Sequence, residues 1–267
     1  RLDRGPSTRA TSISKSLTMY VDVNAERVFV STGASRHQPD APAIVFVHGA
    51  GMDHSVWVML SRYFARHGFN ASAIDLPGHG RSQGEPLNTI DAMGDWLADV
   101  IDVLGFDKSI VVGHSMGSLV AHRFAVTHLD RCRAIALLGT SVPMPVTEAL
   151  MTAAADNHHA AIEMINTWSH SSQGKVGANN NPGVWMMGIG ERLLERARPG
   201  VLHADLEACN SYSGVSQEIV CPSLVIAAGA DLMTPARAGL EVAKALPQTD
   251  IVNLEDCGHF MLSERPN

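Results

Sequence analysis

Three side chains far apart in the chain have the types and the order for nucleophilic chemistry: Ser115, Asp231 and His259. Ser115 is the centre of Gly113-His114-Ser115-Met116-Gly117. A serine hydroxyl attacks poorly at neutral pH because its proton must leave as the new bond forms. A nearby imidazole can take that proton, and a carboxylate on the other ring nitrogen fixes the tautomer and stabilises the imidazolium. The G-x-S-x-G spacing has a steric reason. Flanking glycines let a strand and a helix approach without a Cβ clash and leave the serine at the apex. The β-branched run Ile110-Val111-Val112 precedes the motif, and residues 118–126 carry apolar residues at helical spacing. That reads as strand, tight turn, helix.

In an open parallel sheet the reactive groups gather just beyond the carboxyl ends of the strands. Asp231 follows the strand ending at Ala227, and His259 follows the one ending at Leu254, which gives the order Ser, acid, His. Asp256 lies too few residues before His259 to reach its other ring nitrogen, and Gly139-Thr140-Ser141 offers no carboxylate. The plainer readings are a turn serine, a helix N-terminal aspartate ahead of Pro235 and a satisfied loop histidine. A tetrahedral oxyanion needs two N–H donors. Met116 at the helix start supplies one. The other is expected from His48-Gly49-Ala50-Gly51, with Ala50 the choice and Gly51 the fallback. Activity should fall below the ordinary imidazole pKa of about 6.5, where a protonated His259 cannot accept the serine proton.

The other histidines read as structural. His48 suits a hydrogen bond within its loop, His79 belongs to a turn, and His114 suits a side wall or packing. His158-His159 reads as a solvated helix face without metal-ligand spacing. The glycines around Gly49–Gly51 and Gly78–Gly80 lack the Lys-Ser/Thr of a phosphate loop and the G-x-G-x-x-G of a dinucleotide site. The expectation is therefore no cofactor and no metal.

Positioning these groups needs an alternating α/β scaffold. Short strands are expected at Met19–Val23 and Arg27–Ser31, a hairpin around Asn24-Ala25-Glu26. Continuous apolar strands are expected at 43–47, 71–75, 110–112, 134–138, 223–227 and 250–254, with helices at 55–66, 89–104, 118–128 and 235–246. Ser55 is a plausible N-cap for the first of these. Between 143 and 216 the alternation stops. Helices are expected there at 148–168, broken near Asn157, at 184–197 and at 201–212, around a polar loop carrying Asn179-Asn180-Asn181. The reading is an α/β core over 19–142 and 217–267, with a helical insertion over 143–216 lying on the sheet's C-terminal edge.

At 267 residues, 45% hydrophobic and 18% charged, the chain suits one large α/β domain with an insertion. The net charge of -7 and the lack of a basic block argue against a nucleic-acid partner. No apolar run approaches a membrane span. The scattered Cys132, Cys209, Cys221 and Cys257 suit reduced, buried thiols of a cytoplasmic protein. Residues 1–18 read as a disordered leader. Ser263–Asn267 reads as the opening of a helix left incomplete.

His48-Gly49-Ala50-Gly51, Asp75-Leu76-Pro77-Gly78-His79-Gly80-Arg81-Ser82, Gly113 to Gly117, Gly229-Ala230-Asp231 with Thr234-Pro235, and Gly258-His259-Phe260 occur in this order. In these the chain resembles the α/β-hydrolase superfamily, in its capped branch of small esterases and carbon–carbon hydrolases. The resemblance implies an eight-stranded, mostly parallel sheet, antiparallel at the first hairpin, with a helical cap after the sixth strand. Relatives with epoxide-hydrolase or dehalogenase activity carry aspartate at the apex, so Ser115 implies acyl transfer to serine and then to water. Cap side chains would line the pocket. The candidates are Trp57, Met116, Trp168, Trp185, Met186 and Met187, with His48, Gly49, Gly51, His114 and Phe260 nearer the chemistry. No arginine pair is evident, so an uncharged or weakly polar small-molecule substrate is expected. The leading expectation is a serine hydrolase of a carboxylic ester or lactone, monomeric or homodimeric. Alternatives are carbon–carbon hydrolysis of a ring-cleavage product, cofactor-free haloperoxidase or perhydrolase activity, amidase, thioesterase or acyltransferase activity, and a non-catalytic receptor.

Overall fold

The computed structural model describes residues 18–33, 37–178 and 183–266. The expected leader over 1–17 and the Asn179-Asn180-Asn181 tract lie outside the described residues. Eight strands form one sheet: β1 (Thr18–Val23), β2 (Glu26–Ser31), β3 (Ala43–Val47), β4 (Asn70–Ile74), β5 (Ser109–His114), β6 (Cys132–Leu138), β7 (Ser223–Ala228) and β8 (Thr249–Leu254). Their spatial order is β1-β2-β4-β3-β5-β6-β7-β8. β2 runs antiparallel to both its neighbours, and the pairs from β4 to β8 are parallel. The hairpin turn is Asn24-Ala25, with φ of 51° and 68°. Two positive φ values match the twist that a two-residue hairpin requires. Glu26 belongs to the strand, not to the turn.

Alternate residues of β3 face opposite layers. Val45 and Val47 pack with Val111, Ile135 and Leu137 against one helical layer. That layer holds α2 (Ile90–Val103) and α3 (Met116–Thr127), through Leu97, Ile101, Leu119 and Phe124, and α9 (Ala236–Ala245), through Val242. Ile44 and Phe46 face the other way, with Val112 and Leu138, onto Trp57 and Ala65. α1 (Val58–Arg66) carries Ala65 and follows a 3₁₀ turn over His54–Trp57. That turn is capped by Asp53, whose carboxylate accepts the Ser55 N–H, so Ser55 is not the cap.

Among the described residues, five α-helices lie between β6 and β7: α4 (Glu148–Ala155), α5 (Ala160–Ser169), α6 (Ser172–Lys175), α7 (Met186–Leu194) and α8 (Val201–Ser211). The 148–168 stretch is two helices, with the expected break near Asn157. Asn157, at φ 51°, follows the end of α4, and its side-chain oxygen accepts the Gly200 N–H at 2.6 Å. Asparagine tolerates this left-handed position, which ends a helix. Leu150, Ile165, Leu194 and Leu206 of these helices form a third apolar cluster with Met52 and Phe260, which come from loops at the strand ends. Among the described residues no helix is long and apolar enough to cross a membrane. All four cysteines are free and buried, with the sulfurs of Cys132 and Cys221 3.5 Å apart.

Candidate active site

Ser115 sits between β5 and α3 at φ 55° and ψ -121°. Positive φ is uncommon for a residue with a side chain, and such strain concentrates at functional sites. The flanking glycines make the turn possible. A Cβ on Gly113 would overlap the Gly117 carbonyl, and a Cβ on Gly117 would overlap the carbonyl of Val47. Ser115 N–H donates to Leu138 O of the neighbouring strand at 2.9 Å. Met116 begins α3, where the first amides of a helix lack intrahelical acceptors.

His259 Nδ1 donates to Asp231 Oδ2 at 2.7 Å, and both side chains are buried. Both Asp231 oxygens have further partners. Oδ1 accepts the N–H groups of Met233 and Thr234, and Oδ2 also accepts the Thr234 hydroxyl, all at 2.8 Å. Burial alone would raise the Asp231 pKa. The charge and hydrogen bond of His259, with the Thr234 bonds, outweigh it and hold the carboxyl below its ordinary value. His114 Nε2 donates to the backbone carbonyl of His259 at 2.8 Å, and the two rings lie 4.8 Å apart. Gly139, at φ 57°, leaves room for the His259 ring, since a Cβ there would come within 3.0 Å of it.

The loop after β3 is fixed by the within-loop bond expected of His48 and by an Asp205 contact that sequence reasoning missed. His48 Nδ1 donates to Gly49 O at 2.9 Å, and its Nε2 accepts the Leu76 N–H at 3.2 Å. Gly49 O also accepts the Met52 N–H. Gly51 N–H is bound to Asp205 Oδ2 at 2.8 Å, which removes Gly51 as a fallback oxyanion donor. The loop of His259 is anchored as well. Phe260 N–H donates to Ser169 O, and the buried Glu264 accepts the N–H groups of Ser171 and Gly258. Glu264 carries this load in the segment read from sequence as an incomplete helix.

Two cavities adjoin these loops. The smaller, about 90 Å³, is bordered by Ser115, His259 and Ala50, with Met144, Leu150, Ile165, Trp168, Cys209 and Met233 among its apolar walls. Among the described residues no lysine, arginine or carboxylate lines it. The larger, about 680 Å³, is bordered by His114, Met59, Ile189, Leu193, Arg192 and Arg196. Met52 and Phe260 border both. Sequence patterning gave no sign of the arginines, which α7 and the turn after it bring to the larger cavity.

Several expected pocket residues lie elsewhere. Trp57 is fully buried against Phe46, at 5.2 Å between ring centres, because the 3₁₀ turn points it into the sheet layer. His48 is enclosed in its own hydrogen bonds. Gly49 borders neither cavity, and a Cβ there would come within 3.2 Å of the Ser115 Cβ. Gly51 borders neither cavity, and a Cβ there would come within 3.3 Å of Leu194 and Leu202. Trp185 precedes α7 and is 66% exposed. Met186 is buried and Met187 half-buried, and neither borders either cavity. Trp168, His114 and Phe260 do border them.

Residues 44–267 match the alpha/beta hydrolase family. The chain belongs to that family. It is 29% identical over 230 residues to a pimeloyl-[acyl-carrier protein] methyl ester esterase of Chromobacterium violaceum, covering 82% of this chain and 87% of the relative. It is 27% identical over 235 residues to a 2-hydroxy-6-oxononadienedioate/2-hydroxy-6-oxononatrienedioate hydrolase of Burkholderia vietnamiensis, covering 82% and 81%. The crystal structure of the enol-lactonase from Burkholderia xenovorans superposes with a TM-score of 0.84 at 22% identity, over 93% of this chain and 95% of that one.

The hydrolase buries several histidines as neutral rings, which sets a pH limit on its stability. Burial, and then the nearby His79, lower His48 to about 4. Burial and then His259 lower His114 to about 3, and burial lowers His122 to about 4. The unfolded chain protonates these rings below about pH 6.5 while the folded chain does not. Stability is therefore full above about pH 6.5 and falls as pH drops towards 4, by about 1.4 kcal/mol per pH unit for each ring. His122 bridges Tyr212 and Ser216 at 2.8 Å to each, away from the loops of Ser115 and His259. In urea unfolding between pH 6 and 4.5, His122→Gln is expected to remove about 1.4 kcal/mol per unit from the slope. An unchanged slope would mean that His122 is not held neutral.

Proposed function

We propose that the chain is a serine esterase acting on a small, mainly apolar carboxylic ester or lactone. Ser115 is the nucleophile, His259 the general base and acid, and Asp231 the carboxylate that orients it. The Ser115 Oγ proton passes to His259 Nε2 as Oγ bonds to the ester carbonyl carbon. The developing oxyanion is held by the N–H groups of Ala50 and Met116. His259 returns the proton to the departing alkoxide, leaving an acyl-enzyme. Water repeats the cycle and releases the acid. The helices α4–α8 act as the cap, walling the site and supplying Leu150, Ile165 and Trp168.

The observation that carries this reading is that His259, with its Nδ1–H on the Asp231 carboxylate, borders the same uncharged cavity as the strained Ser115. An apolar wall with Met52, Met144 and Met233 suits a neutral limb of adaptable shape. One relative is named as a methyl ester esterase, which agrees with this choice. The test is turnover of short p-nitrophenyl esters, with a fluorophosphonate probe whose adduct maps to Ser115 by mass spectrometry. A probe adduct elsewhere, or no ester turnover, would overturn the proposal.

The second reading is carbon–carbon hydrolysis. The relative acting on an oxo-dienedioate hydrolyses a molecule whose name contains no ester, and Arg192 and Arg196 border the larger cavity here. Arg196 is engaged, with Asp53 at 2.8 Å and Ser55 at 3.0 Å. Turnover of a vinylogous diketo acid without ester turnover would select this reading.

Phe260 stands between the two cavities, so it should limit chain length. Phe260→Ala is expected to raise kcat/KM for p-nitrophenyl octanoate relative to the acetate by about 10-fold, the scale of hydrophobic-pocket discrimination. An unchanged ratio would mean that the larger cavity receives no acyl chain.

A further inference from the structure

Asp205 of α8 is fully buried and has no part in the reaction scheme above. Its Oδ2 reaches two loops of the core, which lie 154 and 126 residues away in sequence. It accepts the Gly51 N–H at 2.8 Å and lies 2.8 Å from His79 Nε2. A buried carboxylate is costly unless it is paired. The geometry states how this one is paired. His79 Nδ1 faces the Pro77 carbonyl at 2.9 Å, which can only accept, so Nδ1 carries a hydrogen. Nε2 faces a carboxylate oxygen; with Asp205 ionised it donates too, which makes His79 an imidazolium. Burial would lower His79, but the Asp205 charge outweighs this and raises it.

The pair meets the chain where the oxyanion donor sits. The Gly49 carbonyl is tied down by His48 Nδ1 and Met52 N–H. In a trans peptide the C=O and N–H point in opposite directions, so the Ala50 N–H is turned away from those partners. The next peptide plane ends in the Gly51 N–H, which Asp205 holds. Ala50 therefore lies between two pinned planes, and the second pin comes from the inserted helices.

We propose that Asp205 is a positioning residue, acting through Gly51 to set the Ala50 amide, so that docking of α8 completes the oxyanion site. This rests on the serine-hydrolase reading. Asp205→Asn keeps the shape but cannot serve both partners. An amide oxygen facing the loop accepts from Gly51 yet leaves the His79 imidazolium without a counter-charge. An amide nitrogen there satisfies a neutral His79 yet opposes the Gly51 N–H.

With p-nitrophenyl acetate, D205N is expected to lower kcat about 10- to 100-fold with KM within about twofold, the scale of a slightly misplaced donor. Binding of an alkyl trifluoromethyl ketone, which forms a tetrahedral oxyanion on serine, should weaken by the same factor as kcat/KM. A purely structural role would lower Tm and leave kcat per folded molecule and ketone binding unchanged. Glu207→Gln, on the exposed side of α8, should match the parent throughout. If D205N fails to fold, the double variant His79→Leu with Asp205→Val removes both charges and still leaves the Gly51 N–H without its acceptor. It is expected to show the same parallel loss. Parental kcat and ketone affinity in a folded variant would overturn the proposal. If Ser115→Ala is inactive while D205N is parental, only this inference fails. If Ser115→Ala stays active, the reading beneath it fails.

Discussion

Replacing Ser115 with alanine is expected to lower kcat for p-nitrophenyl acetate by about 10⁴- to 10⁶-fold, leaving little beyond the contribution of binding and the oxyanion donors. Among the described residues bordering the small cavity, the Thr234 hydroxyl and the Cys209 thiol are not free to take over. The Thr234 hydroxyl donates to Asp231. The Cys209 thiol is pushed far up by burial and then by Asp205, so it is not a thiolate. Alanine keeps the serine Cβ, so the strain at φ 55° is the same in both proteins and Tm should move little. Fluorophosphonate labelling should vanish together with turnover. Retained turnover in a preparation with no labelling would remove Ser115 from the mechanism, and the esterase reading with it.

Much of this scaffold was legible because it depends on local pattern. β3 matches its expected bounds, Ala43–Val47, since a five-residue apolar run between loops has few other uses in an α/β chain. The turn at Ser115 was legible because only glycine fits at 113 and 117, a requirement written into two letters. Asp231 and His259 were legible because strand ends in a parallel sheet share one edge, so counting strands places them together. What failed depends on contacts between distant elements. Trp57 was an apolar candidate for the pocket wall, but a 3₁₀ turn capped by Asp53 aims it at Phe46. The fixing of Gly51 by Asp205 spans 154 residues and belongs to no motif. His79 was read as a turn histidine, and its charge follows only from the carboxylate brought to it. The inserted helices were recognised as helices from periodicity, but their pitch over the sheet edge, and so Arg192 and Arg196, follows from packing alone.

In the proposed mechanism the inserted helices therefore do more than wall a cavity. Ser169 O and Ser171 N–H, beside α6, hold the loop of His259 through Phe260 and Glu264, while Asp205 holds the loop of Ala50. Under the proposed mechanism, both loops that must meet Ser115 are fastened by the segment between β6 and β7. Changes in these helices can thus alter turnover as well as substrate preference.

Asp231→Asn is expected to lower kcat about 10⁴-fold with little change in KM. The environment of residue 231 dictates how the amide must lie. Two backbone N–H groups, from Met233 and Thr234, converge on Oδ1, so the asparagine carbonyl oxygen has to occupy that position. Its NH₂ then faces Thr234 Oγ1 and His259 Nδ1. Donating to Nδ1 makes that nitrogen an acceptor and moves the ring proton to Nε2. An Nε2 that already carries a proton cannot receive one from Ser115. The fold is kept, since every hydrogen bond of the Asp231 cluster has a counterpart, but the base is in the wrong tautomer. Fluorophosphonate labelling, which also needs Oγ deprotonated as it attacks, should slow in proportion to kcat. A loss confined to KM would assign Asp231 to substrate binding, and a kcat within tenfold of the parent would mean that His259 does not depend on it for its tautomer.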